Sequence, residues 1–298
     1  MLFARQRRLL ALVDALGGEV CGLDFQKLLF LYCQDVEESP SYEFVPYRFG
    51  GFSFTSYADK RRLIEQGMLA DEERLWKLTP TGRAAAMVDR PERLRMHQFA
   101  KTHSQWRGEA LVAEAYRRHP YFATRSEMAT RVLAEDGPAL TAVEAARPDP
   151  PRPGLVTIGY EGRALEGYLN RLLQDGVTLL CDVRRNAFSH KYGFSKNTLA
   201  KSCGGVGIRY EHVPELGIPS SQRRELKTQS DYDALFARYE RESLPKQTAA
   251  LARIYAWIAT GERVALTCFE KLPSQCHRHC VAEALERQYG KELMAVNL

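Results

Sequence analysis

Apolar and polar positions alternate at two different periods along the 298-residue chain, and the change of period divides it. In the first half the spacing is helical. Leu9, Leu10, Leu12 and Val13 form one stripe, and Phe25, Leu28, Leu29 and Tyr32 form another, with Asp24 placed to cap the second helix. The stretch from Tyr42 to Phe54 is aromatic-rich and interrupted by Pro46, Gly50 and Gly51, which predicts a loop packed on those helices. A helix over about Ser56–Gln66, a short extended run Leu75–Leu78 and a helix opened by Thr79-Pro-Thr-Gly-Arg83 follow. This order of helix, helix, small wing and helix is winged-helix-like. Residues 91–135 are charged and amphipathic, which predicts two or three further helices.

Beyond residue 154 short β-branched runs alternate with amphipathic ones. Strands are predicted at Leu155–Ile158, Val177–Val183, Ile208–Val213, 263–268 and Leu293–Asn297. Helices are predicted at Leu165–Gln174, Lys196–Ser202, Ser230–Thr260 (broken near Pro245) and after Cys276. Strands separated by helices imply βαβ units, hence an α/β fold with a mainly parallel sheet flanked by helices. Between the halves, residues 145–154 contain four prolines, a stiff linker that cannot continue a helix. The expected organisation is a helical domain over 1–144, the linker 145–154, and an α/β domain over 155–298 that carries catalysis. No internal repeat or low-complexity tract interrupts it.

Composition changes this picture little: 45% hydrophobic and 27% charged residues are ordinary for a globular protein. The net charge of +5 is unevenly spread, because residues 181–229 hold 9 basic against 4 acidic residues. Such a local basic surface suits a phosphate-bearing partner, although a solvated basic loop would look the same. Seven cysteines read as reduced thiols. Residues Met1–Val13 have charge within their apolar run and form an amphipathic helix rather than a signal peptide. No apolar stretch reaches membrane-spanning length, and a cytoplasmic location is expected.

Four clusters fall at predicted strand ends, where open α/β sheets bind ligands. In Ile158-Gly-Tyr-Glu-Gly162 the glycines allow a tight turn, and Glu161 projects near the following helix. In Cys181-Asp-Val-Arg-Arg185, Asp182 can act as a base or orient Arg184, and Arg184 can grip a phosphate; a structural salt bridge is the plainer reading. The loop Ser189-His-Lys-Tyr-Gly-Phe-Ser-Lys196 adds Lys191, Tyr192 and Ser195, cations interleaved with rings that fit phosphate contacts and base stacking. In Tyr210-Glu-His-Val-Pro-Glu-Leu-Gly217, Tyr210 and His212 share a strand face and Glu215 is a possible acid or base.

The fourth cluster is the densest: Thr267-Cys-Phe-Glu-Lys-Leu-Pro-Ser-Gln-Cys-His-Arg-His-Cys280, set between a strand and a helix. Cys276 is expected at the helix start, where free N–H groups favour a thiolate or a bound anion, and Arg278 would support a phosphate there. Four readings stay open: an anion pocket with Glu270 as acid/base, a nucleophilic Cys276 assisted by His277, a metal site from Cys268, Cys276, Cys280 and a histidine, and a structural thiol cluster. The spacing matches no common zinc pattern, so neither metal nor cofactor is expected.

Together these clusters resemble the DUF488 family over nearly all of residues 155–298. The matching residues are Gly159, Tyr160 and Glu161; Asp182, Val183 and Arg184; Gly193, Phe194 and Ser195; Tyr210, His212, Glu215, Leu216 and Gly217; and Cys268, Glu270, Cys276, His277 and Arg278. The resemblance implies an α/β fold and a site, with no settled reaction, in a prokaryotic mobile-element or defence setting. Phe25-Gln-Lys-Leu-Leu-Phe-Leu, Tyr47-Arg-Phe-Gly-Gly-Phe-Ser-Phe and Leu78-Thr-Pro-Thr-Gly-Arg83 resemble the Panacea-type antitoxin domain over residues 5–88, which implies an interaction or regulatory role. The expectation is an enzyme acting on nucleic acid, DNA in the first place, or on a nucleotide, in anti-phage defence. Asp182, Glu270, Cys276 and His277 would be catalytic. Tyr160, Glu161, Arg184, Lys191, Tyr192, Ser195, His212, Glu215, Cys268 and Arg278 would bind substrate. The reaction within that class is hydrolytic removal of a base. A DNA-binding regulator and a thiol-dependent nucleotide-modifying enzyme are the alternatives. The sequence does not set the oligomeric state.

Overall fold

A computed structural model of the chain describes residues 2–223 and 226–298; of the predicted N-terminal helix, Met1 lies outside the described residues. The chain divides into two compact units, Met1–Arg147 and Pro148–Leu298.

In the N-terminal unit, α1 (Ala4–Ala15), β1 (Glu19–Cys21) and α2 (Gly22–Asp35) come first. The strands β2 (Val45–Tyr47) and β3 (Gly50–Phe52), the helix α3 (Phe54–Glu65), β4 (Leu75–Lys77) and α4 (Pro80–Ala85) follow. Then come α5 (Arg90–Thr102), α6 (Gly108–Arg118), α7 (Ala129–Val132) and α8 (Gly137–Ala145). The helix α2 is buried from Asp24 through Cys33, as its nearly unbroken apolar run demands of a central helix. The cost of that position falls on Lys27, whose Nζ donates to the Gly51 carbonyl at 3.2 Å. Burial lowers its ammonium to about 7.

Two expectations change here. Asp24 does not cap α2: the cap is Cys21, and Asp24 accepts from the Gly108 N–H at 2.7 Å instead. The aromatic stretch is not simply a loop. Val45–Tyr47 pairs antiparallel with Gly50–Phe52, and the turn is possible because Gly50 adopts φ +87°. The extended run at Leu75–Lys77 pairs with β1, a strand too short to show any period.

The C-terminal unit runs β5 (Gly154–Gly159), α9 (Leu165–Gln174), β6 (Leu179–Asp182), α10 (Lys196–Gly205), β7 (Arg209–His212), α11 (Gln229–Arg238), α12 (Thr248–Ala259), β8 (Arg263–Cys268), α13 (Arg278–Tyr289) and β9 (Val296–Asn297). The five strands form one sheet, order β7-β6-β8-β5-β9, with every pairing parallel. The α/β class expected from the alternation is therefore the observed one. The predicted long helix is α11 and α12, separated by a π turn and a 3-10 turn that contains Pro245, because proline cannot donate to the preceding turn.

Helices cover both faces. Val264, Leu266 and Cys268 pack in one core with Leu251, Ile254, Ile258, Val281 and Leu285 of α12 and α13. The intervening Thr267 points the other way and accepts from Tyr168 of α9 at 2.7 Å. The late strand β8 is inserted between β5 and β6, in a register that sets Gly159 opposite Cys268 and Asp182 opposite Thr267. Three strands therefore end level at one carboxyl edge, with the chemistry-bearing turns above it.

Candidate functional site

Two networks stand side by side at this edge. The first is centred on Asp182, which is fully buried. Its carboxylate accepts from Arg184 Nε at 2.8 Å, Arg184 Nη2 at 2.5 Å, the Arg184 backbone N–H at 3.1 Å and the Tyr210 hydroxyl at 2.6 Å. Arg184, itself buried, gives its remaining terminal nitrogen to the Tyr160 hydroxyl at 2.8 Å. Burial opposes its charge, but the Asp182 carboxylate outweighs this and raises its pKa. Burial, together with Asp182, also raises the Tyr210 phenol. The predicted strand-end pair is thus an internally satisfied ion pair, braced by two tyrosines. A phosphate reaching Arg184 would have to compete with those partners.

Around it the other predicted residues brace backbone. His212 Nε2 bonds the Arg184 carbonyl at 2.8 Å, Lys191 Nζ donates to the Tyr160 carbonyl at 3.1 Å, and Ser195 Oγ donates to the Ser189 carbonyl at 3.0 Å. The Tyr160 ring lies on Phe194, centroids 4.3 Å apart and planes within 9°. One of its faces is therefore occupied. Tyr192 is exposed.

The second network is the opening cluster of the sequence. Glu270 is nearly buried and pairs with Arg223, while its Oε2 accepts from the Cys268 thiol at 3.5 Å. Cys268, Cys276 and His277 are buried, with one potential ligand atom each within 4.8 Å of the others. Cys280 stands outside that group among the described residues and contacts His279 at 3.4 Å, so the predicted set loses a member. A hydrogen bond from Cys276 lowers the Cys268 thiol to about 7 against the opposing effect of burial. Burial and the pairing with Cys268 push Cys276 up.

Cys276 does not sit at a helix start. It is extended (φ −140°, ψ 126°), and α13 begins only at Arg278, with His277 as its cap. The free N–H groups expected to favour a thiolate therefore belong to later residues. Arg278 is wholly buried: Nη1 donates to the Glu270 carbonyl at 2.5 Å, and Nη2 to the Lys271 carbonyl at 3.0 Å and Asn297 Oδ1 at 3.1 Å. It clamps the turn that carries Glu270. Glu161 accepts from the Lys271 N–H at 2.9 Å on the outer side of that turn. Glu215 lies in a separate turn, half-exposed, 3.7 Å from Arg253.

Sequence reasoning missed three residues. Arg223 belonged only to an undifferentiated basic stretch. Phe269 was passed over as a spacer, yet its ring is exposed beside Glu270 and edge-on to Tyr160. Asn297, which completes the Arg278 clamp, had no local signal at all. Among the described residues no helix is long and apolar enough to cross a membrane. No curated protein and no solved structure matches the chain. Residues 164–285 match the family model described as domain of unknown function DUF488, so the C-terminal unit of this chain carries a DUF488 domain.

Proposed function

We propose that the C-terminal unit is a hydrolytic enzyme acting on nucleic acid, DNA in the first place, in prokaryotic anti-phage defence, and that its reaction is removal of a base by N-glycosidic cleavage. The observation that carries this reading is Glu270. It is a carboxylate at the carboxyl end of a central strand, held by Arg223 and by the clamp of Arg278 on its own carbonyl. A carboxylate so fixed can activate water or stabilise positive charge developing on a sugar. The exposed rings of Phe269, Tyr192 and Phe188 in the turns that follow these strands supply surfaces on which a base taken from its stack can rest. Asp182 takes a positioning role, because Arg184 and Tyr210 already occupy its oxygens. Cys276 is not the nucleophile in this reading, because it is buried and burial pushes its thiol up.

The test is incubation of the full chain with modified and unmodified DNA, scored by mass spectrometry for released base and by alkaline cleavage for abasic sites. Base release that is lost in Glu270→Gln supports the proposal. Undiminished release in that variant, or none from any DNA that the protein retains, would sink it. Retention without product is the outcome expected of the second reading, a DNA-binding regulator. That reading is favoured by the exposed Arg185, Lys196, Lys201 and Arg209, and charge-neutral substitutions there would then reduce the salt dependence of binding.

A further inference from the structure

We infer that Cys268, Cys276 and His277 form a three-ligand zinc site. The donor set is two thiolates and an imidazole, the combination zinc takes in tetrahedral centres. With Zn–S of about 2.3 Å and Zn–N of about 2.0–2.1 Å, neighbouring ligand atoms in such a tetrahedron lie roughly 3.5–3.8 Å apart. Cys268 Sγ and His277 Nδ1 are separated by 3.8 Å, and all three donor atoms lie within 4.8 Å of one another. The Cys268–His277 separation already matches a shared ion, and the bound on the other pairs exceeds the tetrahedral spacing by no more than about 1 Å, within reach of side-chain rotation.

The imidazole supplies an independent observation. Its far nitrogen, Nε2, is 3.0 Å from the Val183 carbonyl oxygen. A carbonyl only accepts, so Nε2 carries the proton and Nδ1 presents a lone pair to the two sulfurs. This is the backbone restraint that fixes tautomer and ring angle in histidines that bind metal. The same geometry explains why two cysteines and a histidine are gathered in the buried interior.

Three protein ligands leave the fourth position of a tetrahedron open, the hallmark of catalytic rather than structural zinc. Glu270 adjoins the ligand group without belonging to it: its Oε2 is 3.5 Å from Cys268 Sγ. A water on the ion would have its pKa lowered toward about 7, and Glu270 would accept its proton. That catalytic consequence rests on the reading of Glu270 proposed above; the metal site itself does not.

The experiment measures metal in the full chain, purified under reducing conditions, equilibrated with zinc and dialysed. Elemental analysis is expected to give about one zinc per chain, falling at least tenfold in Cys268→Ser and in Cys276→Ser and staying unchanged in Cys280→Ser. Because a serine variant that fails to fold would also lose zinc, cobalt is titrated into the wild-type protein as well. Sulfur-to-cobalt charge-transfer absorption together with tetrahedral visible bands would support the site. Absence of those bands, zinc retained no better than by Cys268→Ser, or a Cys268–Cys276 disulfide in place of metal would overturn it. Zinc bound with no base release leaves this site standing and removes the glycosidic reading. Base release by a zinc-free protein does the reverse.

Discussion

Gly159 lies directly against the carbonyl oxygen of Glu270, so closely that a Cβ at residue 159 would overlap it. The last residue of β5 thus supports the turn that presents the candidate acid/base, and no side chain fits between them. The obstacle is backbone, held in turn by Arg278, and cannot move aside as a flexible side chain would. We expect Gly159→Ala to fold with reduced stability and to displace Glu270, lowering turnover at least tenfold while DNA retention falls less than threefold. Equal turnover in the variant and wild type would show that the position of Glu270 does not matter.

The Asp182–Arg184 pair makes a prediction about stability. Leaving one member of a buried ion pair without its partner costs about 3–5 kcal/mol, whereas a hydroxyl bond to a charged group is worth roughly 1.5–3. Asp182→Asn should therefore destabilise the C-terminal unit by about 3 kcal/mol or more, and Tyr210→Phe by less. Urea unfolding followed through Trp257, the only tryptophan of that unit, reads both. An Asp182→Asn protein that is as stable as wild type but inactive would return Asp182 to a direct chemical role.

Thiol labelling separates the sulfur readings. Cys21 is exposed, and the other six cysteines are buried. One fast-reacting thiol per native chain is expected with iodoacetamide at neutral pH, and it should vanish in Cys21→Ser. Rapid alkylation of Cys276, located by peptide mapping, would restore the nucleophilic alternative.

Lys27 makes the stability of the N-terminal unit depend on pH. Its folded pKa of about 7 lies below the ordinary 10.5, so between those values the unfolded chain holds a proton that the folded one lacks. Stability must rise with pH through that window, level off above it, and carry the full penalty below pH 7. At pH 7 the penalty is roughly 4 kcal/mol, against about 1 kcal/mol for the bond to Gly51. Lys27→Met should therefore raise the urea midpoint read by Trp76 and Trp106 at pH 7, with the gain gone by pH 10.5. A gain that is the same at both pH values would show that burial does not deprotonate Lys27.

Much of the C-terminal unit was legible from local pattern. The strands at 155–158 and 263–268 and the helix at 165–174 came within a residue of their observed bounds, because burial on both faces leaves an unbroken apolar run and a buried helix stripe repeats every turn. The clustering of chemistry at strand ends was also readable. Roles were less so. Arg184, Arg278 and Asp182 carry the residue types of phosphate binding and acid/base work, but their exposure and partners depend on segments that the pattern does not connect.

The sequence by itself determined the order and type of the elements of the C-terminal unit and which residues stand near its carboxyl edge, since these follow from interactions one turn or one pleat apart. Tertiary structure decided what those residues touch. Insertion of β8 between β5 and β6 brings Gly159 under Glu270 and Val183 to His277. The 218–223 segment delivers Arg223 to Glu270, and β9 delivers Asn297 to Arg278. Such pairings are selected by packing across tens of residues of chain, where no period survives to announce them, so the same side chains read as ligands in one dimension and as a clamp, an ion pair and a sulfur cluster in three.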